Sequence, residues 1–197
     1  MPDAPTPHPL LGRGIEALNT QQWPYAIECF TQVLVDVPDS VDARRLLRQA
    51  LRQQAAGAAS NPLVALGCLC QAWPAVLQAQ WAAGRKDWAA AAAAYDRALH
   101  HAPRQSAWLH QLGQALLEQH QETAAIDALE EAVELNPKLL APLRQLADLH
   151  LKRGDDQRAR ACFEKILTIV PHDIQAERGL KNLDAMGTIR KGFGASS

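Results

Sequence analysis

Three prolines, Pro103, Pro137 and Pro171, stand 34 residues apart, and this interval constrains the fold more than any other property of the chain. A fourth, Pro38, precedes Pro103 by 65 residues, two periods less three. Columns upstream of each proline keep the step. A small residue recurs at Gly14, Ala79, Gly113 and Ala147, and alanine at Ala26, Ala91, Ala125 and Ala159. Four residues after each of these alanines stand Phe30, Tyr95, Leu129 and Phe163, followed three further on by Val33, Ala98, Ala132 and Ile166. Recurrence over this length marks a chain made of one supersecondary unit stacked on itself.

Alanine, a large apolar residue four later and another apolar residue three after that form one face of a helix. The small residue belongs where a paired helix crosses closely. Proline closes the second helix, because it cannot donate the backbone hydrogen bond and restricts the residue before it. Each unit is therefore a helical hairpin that buries its apolar face only by stacking on neighbours. The spacing predicts helices over 8–19 and 22–36, 74–83 and 87–101, 105–118 and 121–135, and 139–152 and 155–169. A final half-polar helix runs from an N-cap at Asp173 to Ala185, before Gly187. It sets Arg178, Lys181 and Asp184 against Ile174, Leu180 and Leu183, as a helix covering the open end of a stack would.

With Gly/Ala, Ala, aromatic, Ala and Pro in these columns, the 34-residue unit resembles the tetratricopeptide repeat. The resemblance implies an all-α, right-handed superhelical solenoid of hairpins with a C-terminal capping helix. It covers repeats at about 7–38, 72–105, 106–139 and 140–171, a capping helix at about 173–186 and a tail at 187–197, all within one domain, 1–197. Arg13 and Gln78 stand where the family usually has leucine. The first helices of such hairpins line an inner groove, and the family's inward positions fall on Trp73, Val76, Leu77 and Gln80, then on Ala107, His110, Gln111, Gln114 and Leu117, then on Ala141, Arg144, Gln145, Asp148 and Lys152. The partner-binding set is drawn from these: Trp73, Val76, Gln80, His110, Gln111, Gln114, Arg144, Gln145 and Asp148. That floor is apolar at one end and amide-rich with mixed charge at the other, suiting a peptide or helix of a protein partner. Members that grip the acidic tail of the large heat-shock chaperones use lysine, asparagine and arginine on these helices. The corresponding positions here, Val76, Gln80, Gln111, Ala141 and Gln145 in one frame, and Leu11, Ile15, Leu77, Ala107 and Gln111 in another, offer no cations, and that ligand is rejected.

Residues 39–71 do not obey the columns. Asp39 and Ser40 offer an N-cap, Val41 to Gln54 reads as a helix, and Ala55 to Asn61 as a loop. A short apolar piece then precedes Pro74, which opens the next hairpin. The segment reads as a degenerate repeat with a short or broken second helix, or as one long helix and a loop. Its helix stacks Arg44, Arg48 and Arg52 at a spacing of four, with Arg45 beside them and no acid between them in sequence. Acids elsewhere in the fold, such as Asp87 or Asp96, account for such a stripe more simply than an anionic partner does.

The rest of the composition narrows function by exclusion. A formal net charge of −1 gives no reason to expect nucleic acid. Charge is uneven, −6 over Gln105–Pro137 and +4 over Lys138–Ser197, which reads first as solubilising surface and second as an array orienting a charged partner or another copy of the chain. Cys29, Cys68, Cys70 and Cys162 form no CxxC pair and no zinc spacing, so neither a disulfide framework nor a metal site is expected. The start, MPDAPTPHPLL, has an aspartate and four prolines where a secretion signal needs a basic start and an apolar run. The longest strongly apolar stretch, Leu63–Cys70, is 8 residues, against the roughly 20 of a membrane helix. These features predict a soluble, cytoplasmic protein. His100 and His101 close a helix whose negative end they meet favourably, and His150 falls at a core position. Cys29 and Cys162 share a packing column. With no nucleophile elbow, phosphate loop or HExxH, no enzyme and no cofactor are expected. The reading is an interaction scaffold or adaptor. Its alternative is a peripheral membrane or assembly factor, using Arg44, Arg45, Arg48 and Arg52 with the apolar 63–73 piece.

Overall fold

The computed structural model describes residues 9–37, 40–58 and 62–194, with side chains within 9–37, 40–56 and 66–186. Expectations that rest on residues 1–8, Pro38, Asp39, 59–61 and 195–197 lie outside the described residues. Those described form ten α-helices and no strand, as an all-α repeat protein should: α1 (Pro9–Asn19), α2 (Trp23–Asp36), α3 (Val41–Ala58), α4 (Pro62–Gly84), α5 (Trp88–His101), α6 (Ser106–Glu118), α7 (Glu122–Leu135), α8 (Leu140–Lys152), α9 (Asp156–Ile169) and α10 (Ile174–Gly194). The described backbone separates into two compact units, with the boundary inside α7 between Asp127 and Ala128.

The hairpin turns share one geometry. Gln21, Lys86, His120 and Gly154 all take left-handed backbone, with φ of 60°, 61°, 60° and 73°. In each turn the next amide donates back to the carbonyl five residues earlier: Gln22 to Ala17 at 2.8 Å, Asp87 to Ala82 at 3.0 Å, Gln121 to Leu116 at 3.0 Å and Asp155 to His150 at 2.9 Å. This closure ends the first helix by satisfying a carbonyl that has no helical partner. Where the residue after the left-handed one is aspartate, its side chain also opens the second helix. Asp87 accepts from the Ala90 amide and Asp155 from the Arg158 amide, each at 3.1 Å.

The sequence columns are the core. Ala26, Ala91, Ala125 and Ala159 are completely buried, and the aromatic, Val/Ala/Ile and Gly/Ala columns are buried with them. In the first unit, Phe30 packs with Ala17, Leu18, Ala26 and Ala50, supported by Trp23 and Leu47, so α3 joins the first hairpin. A second cluster joins Ala72 and Val76 of α4 to Ala98 and Ala102, with Trp108 against it. In the second unit, a Cβ added at Gly179 of α10 would lie 2.5 Å from the Phe163 ring. The first hairpin repeats that contact between Gly14 and Phe30, also at 2.5 Å. The capping helix thus meets the last aromatic as a first helix would.

Three expectations change. Pro74 does not open a helix; it lies inside α4, which runs unbroken from Pro62 to Gly84. The second helix of the degenerate segment is therefore the front half of α4, and α3 extends beyond Gln54 to Ala58. A proline in that position leaves the Cys70 carbonyl without its helical donor, a loss that water can make good because Pro74 and Cys70 are both exposed. The C-terminal helix does not end before Gly187 but continues to Gly194, since an internal glycine costs only about 1 kcal/mol and no proline follows. Within it, Leu183 is buried as expected, whereas Ile174 is exposed.

A candidate docking surface on α4 and α6

The predicted partner residues divide by unit. In the first, Trp73 is exposed on α4, with Gln80 exposed one helical stretch further on. Val76 between them is 2% exposed and sits in the α4–α5 core, so its place in the partner-binding set is corrected: a side chain used to hold α4 on α5 has no surface to offer. On α6, Gln111 is exposed, and His110 and Gln114 are half-buried. In the second unit, Asp148 is exposed. Arg144 is exposed too, and donates to Asp173 Oδ2 at 2.5 Å. Asp173 in turn caps α10, accepting from the Ala176 amide at 2.9 Å. That amide and the Arg144 guanidinium hold its carboxyl below the ordinary aspartate value. Gln145 is half-buried, with a buried Oε1 that has no hydrogen-bond partner among the described residues.

What the sequence reading passed over on α4 is the continuity of its apolar face. Leu66, Trp73, Leu77 and Trp81 are 58%, 56%, 53% and 65% exposed, and Cys70 is exposed between them. The steps of four, three, four and four place all five on one stripe. Over its 23 residues, Pro62–Gly84, α4 carries no charged side chain at all. That absence was the available signal. The Arg85 guanidinium lies 4.5 Å over the Trp81 ring and bounds the stripe with a cation–π contact.

Within the arginine stripe of α3, Arg48 is paired, and so is Arg45 beside it. Arg48 is buried, 3.7 Å from Asp96 of α5, and Arg45 lies 3.8 Å from Asp127. Of the two acids named from the sequence, Asp96 is the one that serves. Arg44 and Arg48 border a cavity of about 440 Å³ floored by Leu47 and Leu51, with Asp96 and His100 at its side. Arg52 is half-buried. Burial, and then the neighbouring His101, lower the basicity of His100.

In the second unit a cleft of about 1000 Å³ is lined by Glu130, Lys138, His150, Arg158, Cys162 and Lys165 among others. None of the predicted residues of α8 lines it. Burial pushes the His150 imidazole below its ordinary value, against the pull of Asp155 and Glu130, and raises the Cys162 thiol. Among the described residues no three His, Cys, Asp or Glu side chains converge as metal ligands, and no helix is long and apolar enough to cross a membrane.

Helical hairpins closed by one turn geometry and packed through one set of columns define a helical-repeat protein. Two tetratricopeptide repeat models match, over residues 76–139 and 116–183, together more than half of the chain, and the protein belongs to that family. Its fold is similar to the crystal structure of MamA (TM-score 0.51, 17% identity, 90% of this chain and 86% of that one). It is also similar to the Arabidopsis OM64 TPR domain (0.52, 17%, 59% and 96%) and to the first TPR of Spaghetti (RPAP3) bound to the HSP90 peptide SRMEEVD (0.54, 13%, 61% and 95%). At these identities the likeness is one of fold. No curated protein matches the chain.

Proposed function

We propose that the protein is an interaction scaffold that holds a peptide or helix of a protein partner on its first-helix faces, with α4 as the principal contact. The observation that carries this is the exposed row of Trp73, Leu77 and Trp81 on a helix without charge. Solvent-exposed aromatics grouped on a rigid helix are the usual anchors of an interface. Gln80 beside them and Gln111 on α6 add amides that can read a backbone or polar side chain. Family membership supports the coarser statement, that the protein works by binding protein. A reduced, cytoplasmic setting remains part of the proposal, resting on cysteine usage.

The neighbour bound to an HSP90 peptide does not lend its ligand to this chain. The positions where such a clamp needs cations hold Val76, Gln80, Gln111, Ala141 and Gln145, and Val76 is buried as well. The membrane alternative draws less support, since Arg48 is internal and Arg45 lies 3.8 Å from Asp127.

Affinity capture from the native cell with the parent protein and with Trp73→Ala/Leu77→Ala/Gln111→Ala is the test. All three side chains are exposed, so helicity should stay the same while the captured partner is lost. Equal loss on changing Glu164 and Lys165, exposed on α9, would remove the assignment to α4 and α6.

A further inference from the structure

The stripe on α4 exists because of the way the irregular segment folds. In a regular stack the first helix of a hairpin is flanked by the second helix of the preceding one. Here the residues that would supply that flanking helix, 62–73, run straight on into α4 and cannot fold back over it. We infer that the place is taken by α4 of a second copy of this chain, packed antiparallel against the first. This rests on reading the exposed face of α4 as the docking surface.

Three observations select that occupant. The first is charge. A partner face bearing Lys, Arg, Asp or Glu would lose water from those groups against 23 residues that offer no counter-charge, which is costly. The occupant is therefore an uncharged helix face, and this chain carries one.

The second is symmetry. The stripe is centred between Trp73 and Pro74. A two-fold axis at that point sets Leu66 opposite Trp81 of the second copy, and Cys70 opposite its Leu77. Trp73 then lies beside the second copy's Pro74. Each large side chain meets a smaller one, as interdigitation across a self-complementary interface requires.

The third is area. At exposures of 53–65% the two tryptophans and two leucines, with the exposed Cys70 and Pro74, offer roughly 500–600 Å² per copy, taking about 250 Å² for a full tryptophan. Two copies bury about twice that, near the roughly 1,000 Å² at which specific interfaces begin. The expected product is a weak, reversible dimer. Arg85, stacked on Trp81, falls at the rim, where its charge keeps its water.

Sedimentation velocity of the full chain tests this from about 1 to about 200 µM, the range in which an interface of this size associates. The average mass should climb from 21.5 kDa toward twice that value. Leu77→Glu should remain monomeric throughout, with unchanged helicity. Trp81→Gln, which removes the ring without adding charge, should weaken association at least tenfold and guards against a folding defect. Mixing Leu77→Glu with Cys70→Lys should restore a dimer, because the antiparallel register sets the new carboxylate against the new ammonium. A parent chain that is monomeric at every concentration, a Leu77→Glu chain that dimerises like the parent, or a mixture that fails to pair overturns the inference. If the parent is monomeric and Leu77→Glu still loses the captured partner, α4 docks a different protein and only the second copy is excluded.

Discussion

Replacing Gly14 with alanine sets backbone preference against packing within a single helix. In the middle of α1 alanine is favoured over glycine by about 1 kcal/mol, through the conformational freedom that glycine must give up. The Cβ that alanine adds would lie 2.5, 2.8 and 3.0 Å from three carbons of the Phe30 ring. That ring is completely buried among Ala17, Leu18, Ala26 and Ala50, so it can yield only by displacing core neighbours. Overpacking of this kind costs about 1–3 kcal/mol, so the net expectation is a loss of up to about 2 kcal/mol. Gly12 provides the control. It lies in the same helix, is exposed, and an added Cβ there meets nothing within 4 Å. Gly12→Ala should therefore gain close to the full propensity term, and the difference between the two variants, about 1–3 kcal/mol, isolates the ring contact. Urea unfolding followed by helicity measures both, and thermal midpoints should differ by about 2–4 °C per kcal/mol for a chain of this size. A Gly14→Ala protein as stable as Gly12→Ala would refute the assignment of that column to close helix crossing.

The left-handed turn residues offer a gain, because a non-glycine side chain there costs about 1–2 kcal/mol. His120→Gly should stabilise by up to about 1 kcal/mol after glycine's extra chain entropy is subtracted, read as a higher thermal midpoint; an unchanged or lower midpoint counts against strain at that turn. Asp96→Asn should destabilise the first unit by about 1–3 kcal/mol, since it takes the charge from the partner of an internal arginine; unchanged stability would mean that Arg48 relies on its other contacts. His150 and Asp173 both have depressed pKa values, so the folded state binds fewer protons than the unfolded one between the two values of each group. Stability is then full above the unfolded pKa and lost as pH falls toward the folded one, first below about pH 6.5 for His150 and then in the carboxylate range for Asp173. Unfolding midpoints of His150→Leu from pH 8 to pH 5 should lose the first of these slopes, and a retained slope would assign it elsewhere. Thiol labelling of the native protein should modify Cys70 quickly and leave Cys29 and Cys162 protected, the latter also because burial raises its pKa; rapid labelling of Cys162 would show that the second unit opens.

The hairpins were legible in the sequence because their information is local. An alanine, an aromatic four residues on and an apolar residue three after that make a helical face wherever they occur, and expected and observed helices such as 121–135 and Glu122–Leu135 agree to a residue. The N-cap at Asp173, the buried His150 and the shared packing column of Cys29 and Cys162 follow from the same short-range logic. The candidate site was legible only in part. Of the inward positions, Trp73, Leu77 and Gln80 are exposed, Val76 is drawn into the core by the α5 contact, and Arg144 is engaged by Asp173 of the last helix. Pro74 looked like a helix start because proline usually is one, yet here residues 62–84 form a single helix. Local preference cannot decide such cases, because Cα neighbours distant in sequence determine which side of a helix is covered. Whether a side chain of α4 serves as core or as docking surface depends on which helix stands beside it, and only the tertiary structure, by running 62–73 straight into α4, left the row from Leu66 to Trp81 in water.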